Sequence, residues 1–231
     1  MTAKLFILGR PGSGKSAAAR RIAVRANSQR FSALHLNDYQ ILLRMSYADK
    51  EGQYFRPAKY ANGFDVCNFE VLDVALTKLE EEASEQIRRV ELIIIEFARA
   101  DYRDALKRFN PQFVQDAYFL YIDTDTDICI PRIYERTAHP QTPDDHFVSD
   151  AIVREYYGKD NRAYMVKNFR HEYNVPAERL WIIDNMRKLE DFEREIDHIA
   201  YTLLRLKTRI LPETDPLQPV FKPVNECKAL S

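Results

Sequence analysis

The octapeptide GRPGSGKS at positions 9–16 constrains the fold of this chain more than any other stretch. It matches the pattern G-x-x-x-x-G-K-[ST] at every fixed position. The apolar run at residues 4–8 before it predicts a strand, and the Ala- and Arg-rich segment 16–28 after it predicts a helix. This order places the backbone N–H groups of a glycine-rich turn at a helix N-terminus, where anions bind.

The residue types within this loop fit phosphate chemistry. Glycines let successive N–H groups converge on phosphate oxygens. Lys15 would reach the β- and γ-phosphates, and Ser16 would bind Mg²⁺. The chain has 6 glycines, and the loop takes three of them, which argues against an ordinary turn. We expect the nucleoside triphosphate to contact Gly9, Arg10, Pro11, Gly12, Ser13, Gly14, Lys15, Ser16 and Ala17.

Composition predicts a packed core and little bulk electrostatic binding. The chain has 231 residues, of which 45% are hydrophobic, and a formal net charge of -1. That charge gives no reason to expect bulk binding to nucleic acid or to an anionic membrane. We find no span-length apolar run and no signal-peptide pattern, and the cysteines Cys67, Cys129 and Cys227 are widely spaced. We therefore expect a cytoplasmic protein with reduced thiols and no membrane partner.

Strand and helix patterns alternate along residues 1–207. The run LIIIEF at 92–97 is the most apolar, and its apolar residues are continuous rather than alternating, as expected of a strand covered on both faces of a parallel sheet. The alternation predicts an α/β fold with a doubly wound, five-stranded parallel sheet. The other strands are predicted at 4–8, 31–36, 117–122 and 180–183, and helices from 39 and over 64–89. Residues 208–231 contain four prolines and predict an extended C-terminal tail.

Two uses of a bound triphosphate are less well supported by the motifs. A GTPase switch needs Asp-x-x-Gly after a strand, but Asp49-Lys50-Glu51-Gly52 follows a predicted helix. It also needs an Asn-Lys-x-Asp motif that recognises the base, and residues 158–161 contain these residue types only in a different order. A motor ATPase is expected to end a strand with two adjacent acids, whereas Glu96 stands alone.

Acids at strand ends favour phosphoryl transfer to a second substrate. Asp38 ends the second predicted strand, where a carboxylate can orient or deprotonate an acceptor hydroxyl. Its alternative role is to cap the following helix. Glu96 ends the most apolar strand, where it would hold Mg²⁺ through water or pair with nearby Arg99. Arg99 is also a candidate to grip an anionic acceptor.

A lid is predicted at about residues 132–160. Arg132 and Arg136 are four residues apart and therefore share one helix face, from which they could stabilise the charge of the transferring group. The alternative is a solvated helix face. The next segment, 137–149, is polar and contains two prolines, as expected of a lid loop. Lid polarity also explains Asp144-Asp145-His146 better than a metal site does.

The acceptor is expected between the second and third strands, beneath helices at about residues 45–68. Tyr47, Tyr54, Phe55 and Tyr60 occur there beside Lys50, Arg56 and Lys59. Aromatic rings next to cations suit a ring-bearing or phosphorylated ligand. The same residues also suit an ordinary packed pair of helices, so both interpretations stay open.

Together these motifs resemble the P-loop small-molecule kinases, the nucleoside-monophosphate kinase-like superfamily that includes adenylate kinase, shikimate kinase, chloramphenicol phosphotransferase, the zeta toxins and polynucleotide kinase. The resemblance covers residues 4–185 and implies a P-loop NTPase fold with a short lid. Arg132 and Arg136 are similar to the paired lid arginines of adenylate kinase. Glu96-Phe97-Ala98-Arg99 is placed like that enzyme's Asp-Gly-Phe-Pro-Arg segment but lacks its Asp, Gly and Pro.

Two further segments resemble other members of the superfamily. Asn37-Asp38-Tyr39 resembles the strand-end Asp of the phosphotransferase and polynucleotide kinase branch, where that Asp is a base toward a hydroxyl. Gln40 stands where that branch has an arginine, and Arg44, one helical turn later, is a candidate substitute. Residues 181–185 resemble a last-strand Asp-Asn that borders the adenine, with helix capping as the alternative.

The sequence thus predicts an ATP- and Mg²⁺-dependent phosphotransferase; a regulatory ATPase that acts on a protein partner is the alternative. Which small molecule accepts the phosphate, or whether a 5′-hydroxyl oligonucleotide end does, stays open, as does the oligomeric state. The predicted catalytic residues are Lys15, Asp38, Arg132 and Arg136; the metal ligands are Ser16 and Glu96; the acceptor-binding residues are Asp38, Arg44 and Arg99.

Overall fold

The structure is a computed structural model that describes residues 2–58, 63–142 and 144–208, without the side chains of residues 207 and 208. The predicted tail from residue 209 onward lies outside the described residues. So do Lys59, Tyr60 and Cys227, which the sequence analysis singled out.

The five predicted long strands form one parallel sheet in the order β2-β5-β1-β6-β7. This confirms the predicted fold class. A separate antiparallel pair joins β3 to β4. The strands are β1 (Ala3–Gly9), β2 (Ala33–Asn37), β3 (Phe55–Pro57), β4 (Phe64–Val66), β5 (Leu92–Phe97), β6 (Tyr118–Asp123) and β7 (Leu180–Asp184).

Helices cover both faces of this sheet. In the part of the chain that the structure describes, none is long and apolar enough to cross a membrane. The helices are α1 (Lys15–Ser28), α2 (Asp38–Ala48), α3 (Glu70–Gln86), α4 (Tyr102–Leu106), α5 (Pro111–Gln115), α6 (Thr126–Ala138), α7 (Asp150–Glu155), α8 (Arg162–Tyr164), α9 (Arg170–Glu172) and α10 (Leu189–Thr208), with a π turn at Met165–Phe169 and a 3₁₀ turn at Ala177–Arg179.

The central strands β1 and β5 are apolar except at Lys4 and Glu96, because both of their faces are covered. Alternate residues such as Phe6 and Ile95 face a core shared with α3, α4 and α5. Their neighbours Ile7 and Ile94 face a second core shared with α1 and α10. Each fully buried side chain of this size stabilises the fold by about 1.5–3 kcal/mol. The continuous apolar pattern is therefore the sequence signature of a sheet with helices on both sides.

The predicted helix over 64–89 is wrong at its start, and the predicted acceptor-side helices over 45–68 are largely wrong. Helix α2 ends at Ala48, and α3 does not begin until Glu70. The carboxylate of Asp49 explains the break, because it accepts hydrogen bonds from the backbone N–H groups of Gln53, Tyr54 and Phe55. The chain then pairs β3 with β4, which puts Phe64 against the ring of Phe55.

Candidate active site

The glycine-rich loop lies between β1 and α1, where neighbouring segments leave no room for side chains. Gly12 and Gly14 have φ angles of 82° and 101°. A Cβ would lie 2.5 Å from the Cys129 carbonyl oxygen at Gly12, and 2.6 Å from Asn185 Nδ2 at Gly14. Helix α1 begins at Lys15, so its first-turn N–H groups have no partner within the helix. The loop therefore presents a concave set of backbone donors.

Distant residues hold this loop in place. The buried Tyr102 hydroxyl accepts a hydrogen bond from Gly9 N at 2.6 Å and donates one to Gly9 O at 2.9 Å. The Asn185 side chain donates to Ser13 O at 2.7 Å, so it supports the loop. Asp184 accepts from Met186 N in the turn before α10. Tyr102 has no local sequence signal of this role, because its partner Gly9 is 93 positions away along the chain.

Side chains of the loop itself have different roles. Lys15 Nζ donates to Arg10 O at 2.9 Å, and burial lowers the pKa of Lys15 although Glu96 and Asp38 raise it. The Arg10 guanidinium turns toward the lid segment and donates to the carbonyl oxygens of Tyr157, Thr124 and Lys159. Arg10 thus contributes only its backbone to the loop. Pro11 and Ala17 line the cleft beside the loop.

Glu96, at the end of β5, meets Ser16 and His35. Its Oε1 accepts a hydrogen bond from Ser16 Oγ at 2.7 Å, and its Oε2 accepts one from His35 Nε2 at 2.8 Å. Burial alone would raise the pKa of Glu96, but the His35 hydrogen bond, the Lys15 charge and the Ser16 hydroxyl together hold that pKa below its ordinary value. The alternative pairing of Glu96 with Arg99 is wrong.

Asp38 forms a buried ion pair with Arg99. Arg99 Nη1 donates to Asp38 Oδ2, and its two terminal nitrogens also donate to the carbonyl oxygens of Ala98 and Leu72, each at 2.6 Å. Burial raises the pKa of Asp38, and Arg99 offsets only part of this effect. The helix cap is Asn37, whose Oδ1 accepts from the backbone N–H of Gln40, so the capping role proposed for Asp38 is wrong.

The lid arginines lie against the same cleft. Arg132 and Arg136 both line it from α6. Arg136 Nη2 donates to His146 O at 3.1 Å, and burial lowers the pKa of Arg136. Arg132 Nη1, Arg136 Nε and Ser13 Oγ are buried and have no hydrogen-bond partner among the described residues. This arrangement contradicts a solvated helix face and leaves unsatisfied donors next to the loop.

The loop after α6 closes onto α2. Gln40 Nε2 donates to Asp144 Oδ1 at 2.7 Å, and the His146 ring stacks on Tyr39 with 3.7 Å between the ring centroids. Burial, with help from Arg136, lowers the pKa of His146 to about 3. Asp145 accepts from two backbone N–H groups of its own loop. Over the described residues, no group of acids, histidines and cysteines forms a candidate metal cluster.

The cleft has a volume of about 290 Å³ and two sides. The loop side consists of Pro11, Gly12, Gly14, Lys15, Ser16, Ala17, Arg20, Glu96, Arg132 and Arg136. The aromatic side consists of Asn37, Asp38, Tyr39, Leu42, Phe64, Asp65, Val66, Phe69, Leu72, Ala98, Asp144, Asp145, His146, Val148, Ile152 and Tyr157. Asp38, at the first residue of α2, therefore shares one cleft with Lys15.

Two predicted acceptor-binding residues lie elsewhere. Arg44 is exposed and pairs with Glu82 on the surface, because it lies on the side of α2 that faces α3. Arg99 is buried behind Asp38 and does not line the cleft. Tyr47 and Tyr54 are exposed. The rings that line the cleft come instead from α2, the β3–β4 pair, the start of α3 and the lid.

No protein-family model matches the sequence, and no curated protein matches it. A sugar kinase from Janibacter sp. HTCC2649, unliganded, is 16% identical and covers 89% of this chain and 95% of its own, with a TM-score of 0.51. The APS kinase of Mycobacterium tuberculosis, in complex with AMPPNP and APS, is 14% identical and covers 87% and 98%, with a TM-score of 0.52.

The chain has the fold of the P-loop small-molecule kinases. This confirms, at the level of fold, the resemblance drawn from the motifs. The shared P-loop kinase fold places the glycine-rich loop after the middle strand of the sheet. Asn37, Phe97 and Asp123 end their strands at the same edge as Gly9, and ligands bind at this edge in open parallel sheets.

Proposed function

We propose that the chain transfers the γ-phosphate of ATP, with Mg²⁺, to a hydroxyl group of a small molecule. The observation that carries this proposal is that one cleft holds both the P-loop and the Asp38 carboxylate, which borders an aromatic chamber. An ATPase that acts only through a protein partner needs no such chamber behind the phosphate loop. The AMPPNP bound by an APS kinase of the same fold supports ATP as the donor.

The residues of the loop side fit a magnesium–triphosphate complex. The buried, unpartnered donors Arg132 Nη1 and Arg136 Nε belong to residues that line the cleft, and they match a polyanion. The oxygens of Ser16 and Glu96, 2.7 Å apart, are ligands of the kind that Mg²⁺ prefers. When bound, ATP supplies the phosphoryl group, and Mg²⁺ offsets the negative charge on its oxygens.

The chain's own residues bind the phosphates, stabilise the transferring group and position the acceptor. Lys15 and the first N–H groups of α1 bind phosphate oxygens, and Arg132 and Arg136 stabilise the charge that spreads over the transferring group. Asp38 orients the acceptor hydroxyl and accepts its proton as the oxygen attacks. Arg99 is a positioning residue, because its hydrogen bonds to two carbonyl groups fix the guanidinium that holds Asp38.

Transfer of labelled γ-phosphate tests this function. The acceptor panel spans nucleosides, nucleoside monophosphates, sugars, amino alcohols and 5′-hydroxyl oligonucleotides. Lys15→Ala and Asp38→Asn are compared with Lys107→Ala and Asp116→Asn, which change the same residue types on the exposed surface. We expect a labelled acceptor with the wild type and both controls, and none with Lys15→Ala or Asp38→Asn.

Release of free phosphate without a labelled acceptor would contradict the proposal. Release of label only as free phosphate, with Asp38→Asn as active as the wild type, would remove Asp38 from the chemistry. Stimulation of that release by a protein partner would then establish a regulatory ATPase.

A further inference from the structure

His35 is a polar residue at a strand position that faces the packed side of the sheet. In the parallel register of β2 and β5, His35 lies beside Ile94, and Asn37 lies beside Glu96. Alternate residues of a strand face the same side of a sheet, so His35 and Glu96 share the side on which Ile94 packs against α1. Ser16 is in the first turn of that helix. The fold therefore brings His35 to Glu96, although 61 positions separate them.

The two carboxylate oxygens of Glu96 have separate partners. His35 Nε2 lies 2.8 Å from Oε2, and Ser16 Oγ lies 2.7 Å from Oε1. An ionised carboxylate only accepts hydrogen bonds, so His35 Nε2 carries a hydrogen and donates it. The side chains of His35 and Glu96 are 16% and 8% exposed, which leaves solvent little access to this contact. His35 therefore fixes the rotation of the carboxylate and leaves Oε1 for Ser16.

The Glu96 carboxylate in turn orients the Ser16 hydroxyl. A hydroxyl has one hydrogen to donate and two lone pairs that accept. The hydrogen of Ser16 is donated to Glu96 Oε1, so the lone pairs of Oγ stay available for a cation at the phosphate loop. A change at His35 that frees the carboxylate would also free this hydroxyl.

His35 has no substitute as a donor to this carboxylate. Among the described residues, the hydrogen-bond partners of the Glu96 side chain are His35 and Ser16. Lys15 is near enough to affect the charge of Glu96, but its Nζ donates to Arg10 O. Loss of the imidazole would leave Oε2 buried without a donor, and the carboxylate would turn or take up water to recover one.

We propose that His35 is the positioning residue of the magnesium site, because its hydrogen bond holds Glu96 so that Glu96 and Ser16 offer their oxygens to the Mg²⁺ of a magnesium–nucleotide complex. This inference rests on the proposed function, but it concerns metal binding and is tested without an acceptor. Outer partners of metal ligands orient those ligands, and their removal typically weakens metal binding by about 10–100-fold.

Binding of AMPPNP to the full chain, measured by calorimetry with Mg²⁺ and again with EDTA, tests this role. The ratio of the two dissociation constants measures how much Mg²⁺ strengthens binding. His35→Leu removes the donor, and His35→Gln keeps an N–H group at the end of the side chain. His171→Leu, which changes an exposed histidine, is the matched control.

We expect His35→Leu to bind AMPPNP like the wild type in EDTA and to lose about tenfold or more of the strengthening by Mg²⁺. His35→Gln should keep most of that strengthening, and His171→Leu should keep all of it. Urea denaturation measures the stability of each variant. If His35→Leu does not fold, His35→Asn takes its place, because the amide of asparagine is one carbon shorter and does not reach the carboxylate.

Three results would overturn the role of His35. They are an unchanged Mg²⁺ ratio in the variant without the donor, equal weakening with Mg²⁺ and with EDTA, and a loss in His35→Gln as large as in His35→Leu. Equal weakening would mean that the variant damages the phosphate loop itself.

The outcomes separate this inference from the proposed function. Labelled transfer by the wild type, with an unchanged Mg²⁺ ratio in His35→Leu, would keep the kinase and overturn the role of His35. A reduced Mg²⁺ ratio in His35→Leu, without labelled product from any acceptor in the wild type, would support His35 as the positioning residue and overturn phosphoryl transfer.

Discussion

Arg99 holds the Asp38 carboxylate in a buried ion pair that links the end of β5 to the first turn of α2. The exposed fractions of the two side chains are 4% and 12%. Burial lowers the pKa of Arg99, but the charge and hydrogen bond of Asp38, together with Tyr157, hold that pKa above its ordinary value. Asp38 thus depends on Arg99 both for its charge and for its position.

Arg99→Ala should therefore lower stability as well as activity. Loss of the guanidinium leaves a buried carboxylate without its cation, which costs about 3–5 kcal/mol in the free energy of unfolding. Urea denaturation measures this change. The double variant Arg99→Met with Asp38→Asn should recover most of the stability and none of the phosphoryl transfer. Full activity of Arg99→Ala would show that Asp38 needs no positioning.

Tyr102→Phe should weaken nucleotide binding through the loop. The lost hydroxyl leaves the buried Gly9 N–H without its acceptor, and we expect a loss of between about 1 and 3 kcal/mol in stability. The dissociation constant for ATP, measured by calorimetry, should rise as the loop shifts. Tyr118→Phe, which changes a tyrosine on the opposite face of the sheet, is the control. An unchanged ATP affinity in Tyr102→Phe would exclude this support.

The sequence predicted the parts of the fold that local pattern determines. The predicted bounds of β5 match the observed ones, because LIIIEF is apolar at every position except Glu96 and ends at a charged segment. The three-residue strand β4 was missed because it is too short to show a period, and because its pairing depends on the Asp49 turn. It ends shortly before α3 begins at Glu70, and so it was interpreted as part of that helix.

The parts of the site that depend on motif spacing were predicted, whereas the parts that depend on tertiary contacts were missed. The loop of residues 9–16 can be identified from its own sequence alone. Arg99 was assigned to Glu96 or to an acceptor because both assignments follow sequence proximity, but its partners Asp38 and Leu72 are brought to it by the packing of α2 and α3. No local signal identifies Tyr102 as the partner of Gly9, since 93 positions separate them.

Gln40→Ala should uncouple hydrolysis from transfer. Gln40 is joined to Asp144 across the cleft, and its loss should let the lid loop open more often and admit water. We expect the ratio of free phosphate to phosphorylated acceptor to rise several-fold. Gln53→Ala, which removes a surface contact with Glu51, is the control. An unchanged ratio would show that this contact does not govern closure.

Asp197 should contribute stability that depends on pH. Its carboxylate on α10 receives paired hydrogen bonds from Arg25 and Arg21 on α1, which hold its pKa well below the ordinary value of 3.8. The unfolded chain then binds the proton more readily than the folded protein. The contribution is therefore present above the ordinary pKa and is lost as the pH falls through the lower folded value.

Asp197→Asn tests this dependence through the difference in unfolding free energy from the wild type. Because solvent screens the pair, we expect about 1 kcal/mol at neutral pH, and the difference should shrink as the pH falls below 3.8. Asp191→Asn, whose partner Arg194 lies on the same helix, is the control. A difference that stays constant with pH would mean that the side chain stabilises by packing alone.

The lid arginines should affect the rate of transfer more than the binding of nucleotide. Arg132 Nη1 and Arg136 Nε are buried without partners beside the loop, so each has a donor ready for charge that develops during transfer. Arg132→Ala should lower kcat by about 1,000-fold or more, the range known for arginines that stabilise phosphoryl transfer. The dissociation constant for ATP should change far less.

Arg136→Lys should recover only part of the rate, because an ammonium lacks the planar fork of a guanidinium. Arg194→Ala, which alters an exposed arginine on α10, should match the wild type. Equal losses in kcat and in ATP affinity for Arg132→Ala would instead assign that arginine to ground-state binding.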